Sequence, residues 1–219
     1  MSPQVSTAPG VPAAPAQVLL LPGWQNSGPG HWQSRWESAY GYIRVEQHDW
    51  LRPLRGDWVA RLEEVLIAKA PAAPGGFVLV AHSLGCLLVA AWASHSRHVT
   101  LVRGALLVAP ADLQSDELAA VLPSWSPPAL QPLPFASQLL ASRDDPYCSM
   151  ARSRFFADAW GSELVDCGAR GHLNADSGLG AWDTAHRRLG RFSVAGLPSA
   201  KASRPRVADV ADPDAERKQ

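Results

Sequence analysis

The sequence predicts an α/β fold, a mostly parallel central sheet with helices on both faces. Three observations carry the expectation. Short continuous apolar runs recur at Val18-Leu19-Leu20-Leu21, at Phe77-Val78-Leu79-Val80 and from Gly104 to Ala109, and runs of this length suit strands buried on both faces. Segments of helical period lie between them. Strand and helix signals alternate along the chain, as they do when helices cross over a parallel sheet. Of the 219 residues, 47% are hydrophobic, ample for one sizeable core.

The elements follow in order. Val18 to Leu21 is closed by Pro22-Gly23. A helix is expected from about His31 to Ala39, then a short extended piece at Tyr42 to Val45. Trp58, Leu62, Val65 and Leu66 fall on one face of an amphipathic helix, which Pro71, Pro74 and Gly75-Gly76 end. The strand Phe77 to Val80 runs into Ala81-His82-Ser83-Leu84-Gly85 and then an Ala/Leu-rich helix, Leu87 to Ala93. Gly104 to Ala109 is a strand closed by Pro110. Pro123, Pro127, Pro128, Pro132 and Pro134 make residues 122–134 a loop or turn region. Ala136 to Ala141 is a strand that stops at Ser142-Arg143-Asp144-Asp145-Pro146. Ala151 to Trp160 reads as a helix, Glu163 to Val165 as a short strand, and about Leu179 to Phe192 as the last helix.

Lysine plus arginine number 20, as do aspartate plus glutamate, for a formal net charge of zero. Such a balance provides no field toward nucleic acid or an anionic membrane, and neither partner is expected. Cys86, Cys148 and Cys167 are odd in number and contain no C-x-x-C pair. Neither a disulfide framework nor a zinc site fits them, and three free thiols in a reducing compartment are expected. Met1 to Gln17 is rich in Pro, Ala and Ser and lacks Lys and Arg, which reads as a flexible tail and not a secretion signal. No apolar run approaches the roughly 20 residues of a membrane span. The expectation is a cytoplasmic protein with a flexible tail at 1–16, one domain at 17–195 and a polar, proline-bearing second tail at 196–219.

The sharpest local feature is small-x-Ser-x-Gly at Ala81-His82-Ser83-Leu84-Gly85, between a buried strand and a helix. This is the nucleophile-elbow pattern of α/β hydrolases, with alanine in place of the first glycine. A serine capping a helix is the plainer reading of five residues alone; the flanking strand and helix add the weight. A serine hydroxyl needs a base, and the α/β-hydrolase order is Ser, then Asp or Glu, then His. Ser83, Asp145 and His172 follow that order. Asp145 follows the strand ending at Ala141, and His172 follows the strand ending near Cys167, with Gly171 beside it. Loops at the carboxyl ends of parallel strands are where catalytic groups gather. Asp144 and Asp112 are rival acids, while His82 is expected to point away from the nucleophile along the turn. Acyl transfer also needs an oxyanion hole. One donor is expected at the backbone N–H of Leu84, the other at Trp24 in the loop after the first strand, with Gln25 as fallback. Nine tryptophans are many for this length. Packing accounts for most of them, whereas Trp24 is expected beside the site, and Trp125 either covers it or packs.

Six segments together carry a resemblance. They are Leu21-Pro-Gly-Trp24 with His31-Trp32, His48-Asp49-Trp50, Val80-Ala-His-Ser-Leu-Gly85, Val108-Ala-Pro-Ala-Asp112, Ala141-Ser-Arg-Asp-Asp-Pro-Tyr147 and Gly171-His-Leu-Asn174. Across about residues 17–192 the chain resembles the small serine hydrolases related to retinoblastoma-binding protein nine, within the α/β-hydrolase superfamily. The resemblance implies a compact α/β-hydrolase fold without a large cap domain. It also implies a Ser83-Asp145-His172 triad and serine-hydrolase or esterase-like activity on poorly defined substrates. Cleavage of a small ester or amide by such a triad is expected to need no metal or organic cofactor. The family name predicts no particular protein partner, which the sequence leaves unknown: the Leu-x-Cys-x-Glu sequence is broken at Leu84-Gly85-Cys86-Leu87-Leu88. A non-catalytic interaction module on the same fold is the competing reading. Such a module is expected to lose a triad member, and here all three residue types are present.

Overall fold

The computed structural model describes residues 14–114 and 116–192, with the side chains of Asp116 and Glu117 excepted. The tails expected at 1–16 and 196–219 lie outside the described residues, apart from residues 14–16. Six strands form one parallel sheet: β1 Gln17–Leu21, β2 Ile43–Arg44, β3 Phe77–His82, β4 Val102–Val108, β5 Ala136–Ala141 and β6 Glu163–Asp166. Their order is β2-β1-β3-β4-β5-β6. From β1 the chain winds first toward β2 and then, from β3 onward, the other way. The strand order therefore reverses between β1 and β3, and a crevice opens outside their carboxyl ends, where open α/β sheets bind ligands.

The helices are α1 Trp32–Tyr40, α2 Arg55–Lys69, α3 Leu84–Ala93, α4 Asp116–Val121, α5 Met150–Trp160 and α6 Asp183–His186. Successive strand residues point to opposite faces. Leu19, Leu21, Leu79, Ala81, Leu107 and Leu139 bury against Trp58, Leu62 and Leu66 of α2, against α3, and against Phe156 and Trp160 of α5. Val18, Leu20, Val78, Val80, Leu106 and Leu140 bury against Trp32 and Trp36 of α1 and against Ala185, Leu189 and Phe192. Both faces are thus covered, which is why the strands read as unbroken apolar runs. Full burial of each such side chain contributes about 1.5–3 kcal/mol. Among the described residues no separate cap domain lies over the sheet.

Local chemistry sets the helix ends. His31 caps α1, its Nδ1 accepting from the Gln33 N–H, and Gly41 in the left-handed region closes it. Ser149 caps α5 by accepting from the Arg152 N–H. Trp58, Leu62, Val65 and Leu66 are all buried on the inner face of α2. Residues 122–134 are irregular apart from one tight turn at Pro123–Trp125. The short helix α4 just before them was not signalled by the sequence.

The last helix departs from expectation. Instead of a continuous helix over about Leu179 to Phe192, α6 starts at Asp183, ends at His186 and tightens into a 3-10 turn over Arg187–Arg191. Gly178, Gly180 and Trp182 hold φ of 63°, 61° and 45°. Three left-handed residues in five positions prevent a right-handed helix from starting earlier.

Candidate active site

Ser83 occupies the turn between β3 and α3 with φ 54° and ψ −119°. A non-glycine residue there carries strain of about 1–3 kcal/mol, and such strain concentrates at functional sites. The turn is held because the Ser83 N–H donates to the Val108 carbonyl at 2.9 Å. Two glycines allow its tightness. A Cβ on Gly85 would run into the Leu21 carbonyl oxygen, and one on Gly23 would lie 2.8 Å from Ser83 Cβ. The loop after β1 can therefore lie directly against the serine.

His172 and Asp145 arrive from loops after β6 and β5. His172 Nε2 lies 3.0 Å from Ser83 Oγ, and its Nδ1 lies 2.9 Å from both Asp145 carboxylate oxygens. The Asp145 side chain is 2% exposed and that of His172 9%. An ionised carboxylate only accepts, so Nδ1 carries the proton and Nε2 turns its lone pair toward the Ser83 hydroxyl. The two loops are stitched together. Asp144 Oδ1 accepts from Ser142 Oγ at 2.8 Å and from the Gly171 N–H at 2.7 Å, and Ser142 Oγ accepts from the Arg170 N–H at 2.8 Å. Those bonds, Ser142 first, hold the Asp144 carboxyl below its usual range. Asp144 thus ties down the histidine loop and Asp145 faces the ring. The other rival, Asp112, is engaged elsewhere, accepting from Arg152 Nε at 2.9 Å and Nη2 at 3.2 Å.

His82 corrects an expectation. It does not point away from the site: its ring packs 4.9 Å from that of His172, and its Nε2 donates to the His172 carbonyl at 3.0 Å. Burial, with His172 and His31 nearby, keeps it neutral. From the other side Trp32 Nε1 donates to the Leu173 carbonyl at 2.8 Å. The backbone around His172 is therefore fixed at two consecutive carbonyls.

Trp24 and Leu84 line the same cavity as Ser83. Leu84 is the first residue of α3, where N–H groups have no intrahelical partner and the helix dipole is positive. In the loop after β1, the Gln25 N–H donates to the Trp50 carbonyl at 3.0 Å, which removes Gln25 as a donor. The Trp24 N–H has no partner among the described residues, and the Trp24 indole donates to the Leu51 carbonyl at 3.0 Å, anchoring the loop. Arg44 of β2 anchors it again, donating to Asn26 Oδ1 at 2.6 Å and to the Ser27 carbonyl at 3.0 Å while paired with Glu37 at 2.7 Å. Trp24 lines the site. Trp125 packs instead, buried edge-on against Trp58 with its indole donating to the Pro53 carbonyl at 2.8 Å.

Ser83 and His172 open on a cavity of about 360 Å³, a size that suits a small ligand. Tyr147, Leu118 and Leu122 form part of its wall, together with His31 and Asn174. Sequence reasoning missed these residues. Tyr147, two positions after the acid and edge-on to His172 at 4.7 Å, carried a signal in its spacing. Leu118 and Leu122 carried none without α4. Among the described residues no group of three or more His, Cys, Asp or Glu is placed to hold a metal ion.

Comparison with known proteins agrees with this architecture. A sequence model of the family described as serine hydrolase matches residues 18–191. A structure described as a YdeN-like hydrolase of Pectobacterium atrosepticum is 30% identical, with 81% of this chain and 90% of that chain covered and a TM-score of 0.68. The ydeN gene product of B. subtilis is 19% identical over 81% of this chain and 98% of that chain, with a TM-score of 0.63. A malate-bound thermophilic esterase of Thermogutta terrifontis is 14% identical over 80% and 89%, with a TM-score of 0.59, a likeness of fold. No curated protein matches the sequence significantly.

Proposed function

The chain belongs to the serine hydrolase family, and from that premise we propose that it cleaves a carboxylic ester or amide of a small substrate through an acyl-enzyme on Ser83. The observation that supports this reading best is the hydrogen-bonded file from Ser83 Oγ through His172 to Asp145, at 3.0 Å and 2.9 Å, opening on the cavity. His172 Nε2 takes the Ser83 proton as Oγ attacks the substrate carbonyl carbon. Asp145 holds the tautomer and stabilises the imidazolium. The Leu84 and Trp24 N–H groups receive the oxyanion, where one donor is worth about 2.7–4 kcal/mol in the transition state. His172 then protonates the leaving oxygen or nitrogen as the tetrahedral intermediate collapses. Water, deprotonated by the same nitrogen, releases the acid and restores Ser83. The steps call on protein groups and water alone. Three unpaired thiols, Cys86, Cys148 and Cys167, favour a reducing compartment such as the cytoplasm as the place of action.

The test is hydrolysis of p-nitrophenyl acetate and butyrate by wild type, Ser83→Ala and His172→Ala. Each variant should lose at least about a thousandfold in kcat. Equal rates for wild type and Ser83→Ala would sink the mechanism and move the non-catalytic interaction module ahead.

A further inference from the structure

Asp145 sits in a turn that is otherwise open to solvent. Arg143, Asp144, Pro146 and Tyr147 are all exposed, yet the Asp145 side chain is 2% exposed and that of its partner His172 9%. The pair is dry although the turn that carries the acid is not.

Tyr147 touches both members of the pair. Its backbone N–H donates to Asp145 Oδ1 at 2.9 Å. Its ring stands edge-on to the His172 ring, with centroids 4.7 Å apart and planes at 71°, an arrangement in which rings attract. The main chain beneath the ring is fixed, since the Tyr147 carbonyl accepts from the Asp112 N–H at 3.2 Å. His82 also packs on His172, but it is buried. Tyr147 is 49% exposed, so of these two rings it is the one that meets solvent. A hydrogen bond to a charged acceptor is stronger where water is kept out, because the local dielectric is lower and water does not compete for the donor. His172 needs that bond in acylation and in deacylation alike, since the same ring serves both.

Resting on the hydrolase reading above, we infer that Tyr147 is a positioning residue, its ring covering the Asp145–His172 pair against water and holding the imidazole toward Ser83.

Tyr147 also lines the cavity, so the test must separate this role from a contact with substrate. Tyr147→Ala removes the ring and keeps the backbone N–H to Asp145, whereas Tyr147→Phe keeps both. The first readout needs no substrate. Proton NMR of wild type at neutral pH should show the His172 Nδ1–H far downfield, assigned by its loss in His172→Ala. Tyr147→Ala should lose this resonance to exchange with water, and Tyr147→Phe should recover it. The second readout is hydrolysis of p-nitrophenyl acetate and butyrate. In Tyr147→Ala kcat should fall at least about tenfold for both esters, as expected for a displaced catalytic group, with KM near that of wild type, and Tyr147→Phe should restore most of it. A resonance that is absent from wild type or survives in Tyr147→Ala overturns the inference. So does an unchanged kcat, an equal loss in both variants, or a loss confined to KM or to one ester, the last marking a substrate contact. Tyr147→Ser, read in the same two ways, serves if Tyr147→Ala fails to fold. If wild type hydrolyses neither ester, the hydrolase reading fails, and the resonance alone decides whether the ring covers the pair.

Discussion

The two ring nitrogens of His172 are committed in opposite directions, and its chemistry depends on that polarity. Nδ1 keeps its proton and donates the N–H to Asp145, so Nε2 can only accept from Ser83 Oγ. In Asp145→Asn the amide can turn its N–H toward Nδ1, which moves the ring proton to the face that meets Ser83. Esterase kcat should then fall about ten-thousandfold. Asp112→Asn alters the pair with Arg152 and the bond accepted from the Gln114 N–H, neither of them to Ser83 or His172, and should leave kcat near that of wild type. Comparable losses in the two variants would mean that the wrong carboxylate has been assigned. The convergence of Ser83, Asp145 and His172 was legible in the sequence because each follows a strand signal in a fixed chain order. The buried place of His31 was not. It depends on a cap to Gln33 and on packing against His82, a residue far away in the chain, and neither contact leaves a mark in the sequence around a loop histidine.

The elbow is an element whose geometry is set by its neighbour strand. Gly85 carries no side chain because the backbone at Leu21 and Pro22 fills that space. Gly85→Ala should therefore cost about 1–3 kcal/mol of overpacking, read as a lower urea midpoint with an unchanged slope. An unchanged midpoint would show that β1 and α3 are not packed as described. The buried strands were legible because both faces are covered and the runs are unbroken. The helix expected from about Leu179 starts later, at Asp183, with Gly178 just before that span and Gly180 inside it as breakers. Trp182 at φ 45° gave no signal, since aromatic residues rarely adopt that conformation. The N-terminal limit of α3 was also set three residues late, because the elbow sequence does not show that the helix begins immediately after Ser83.

For the molecule as a whole, the reversal of strand order between β1 and β3 places the loop after β1, the Ser83 turn and the His172 loop around one crevice. The alternation of strands and helices made the parallel sheet legible, but not its order. Burying histidines, His31 and His82 at the crevice and His186 against Tyr40 and Tyr42, has a cost in acid. His31, His82 and His186 are buried with pKa values lowered from 6.5, chiefly by desolvation. Below 6.5 the unfolded chain binds protons that the folded one refuses, so stability falls as pH drops from 6.5 toward about 3 for His31. His31 alone should contribute up to about 1.4 kcal/mol per pH unit in that window. Melting temperatures from pH 7 to 5 should fall less steeply for His31→Asn than for wild type, and parallel curves would contradict the neutral, buried ring. An activated nucleophile at Ser83 should react with a fluorophosphonate probe, read by intact mass. Wild type should gain one adduct and Ser83→Ala none; a folded wild type that stays unlabelled, or a Ser83→Ala variant labelled to the same extent, would contradict it.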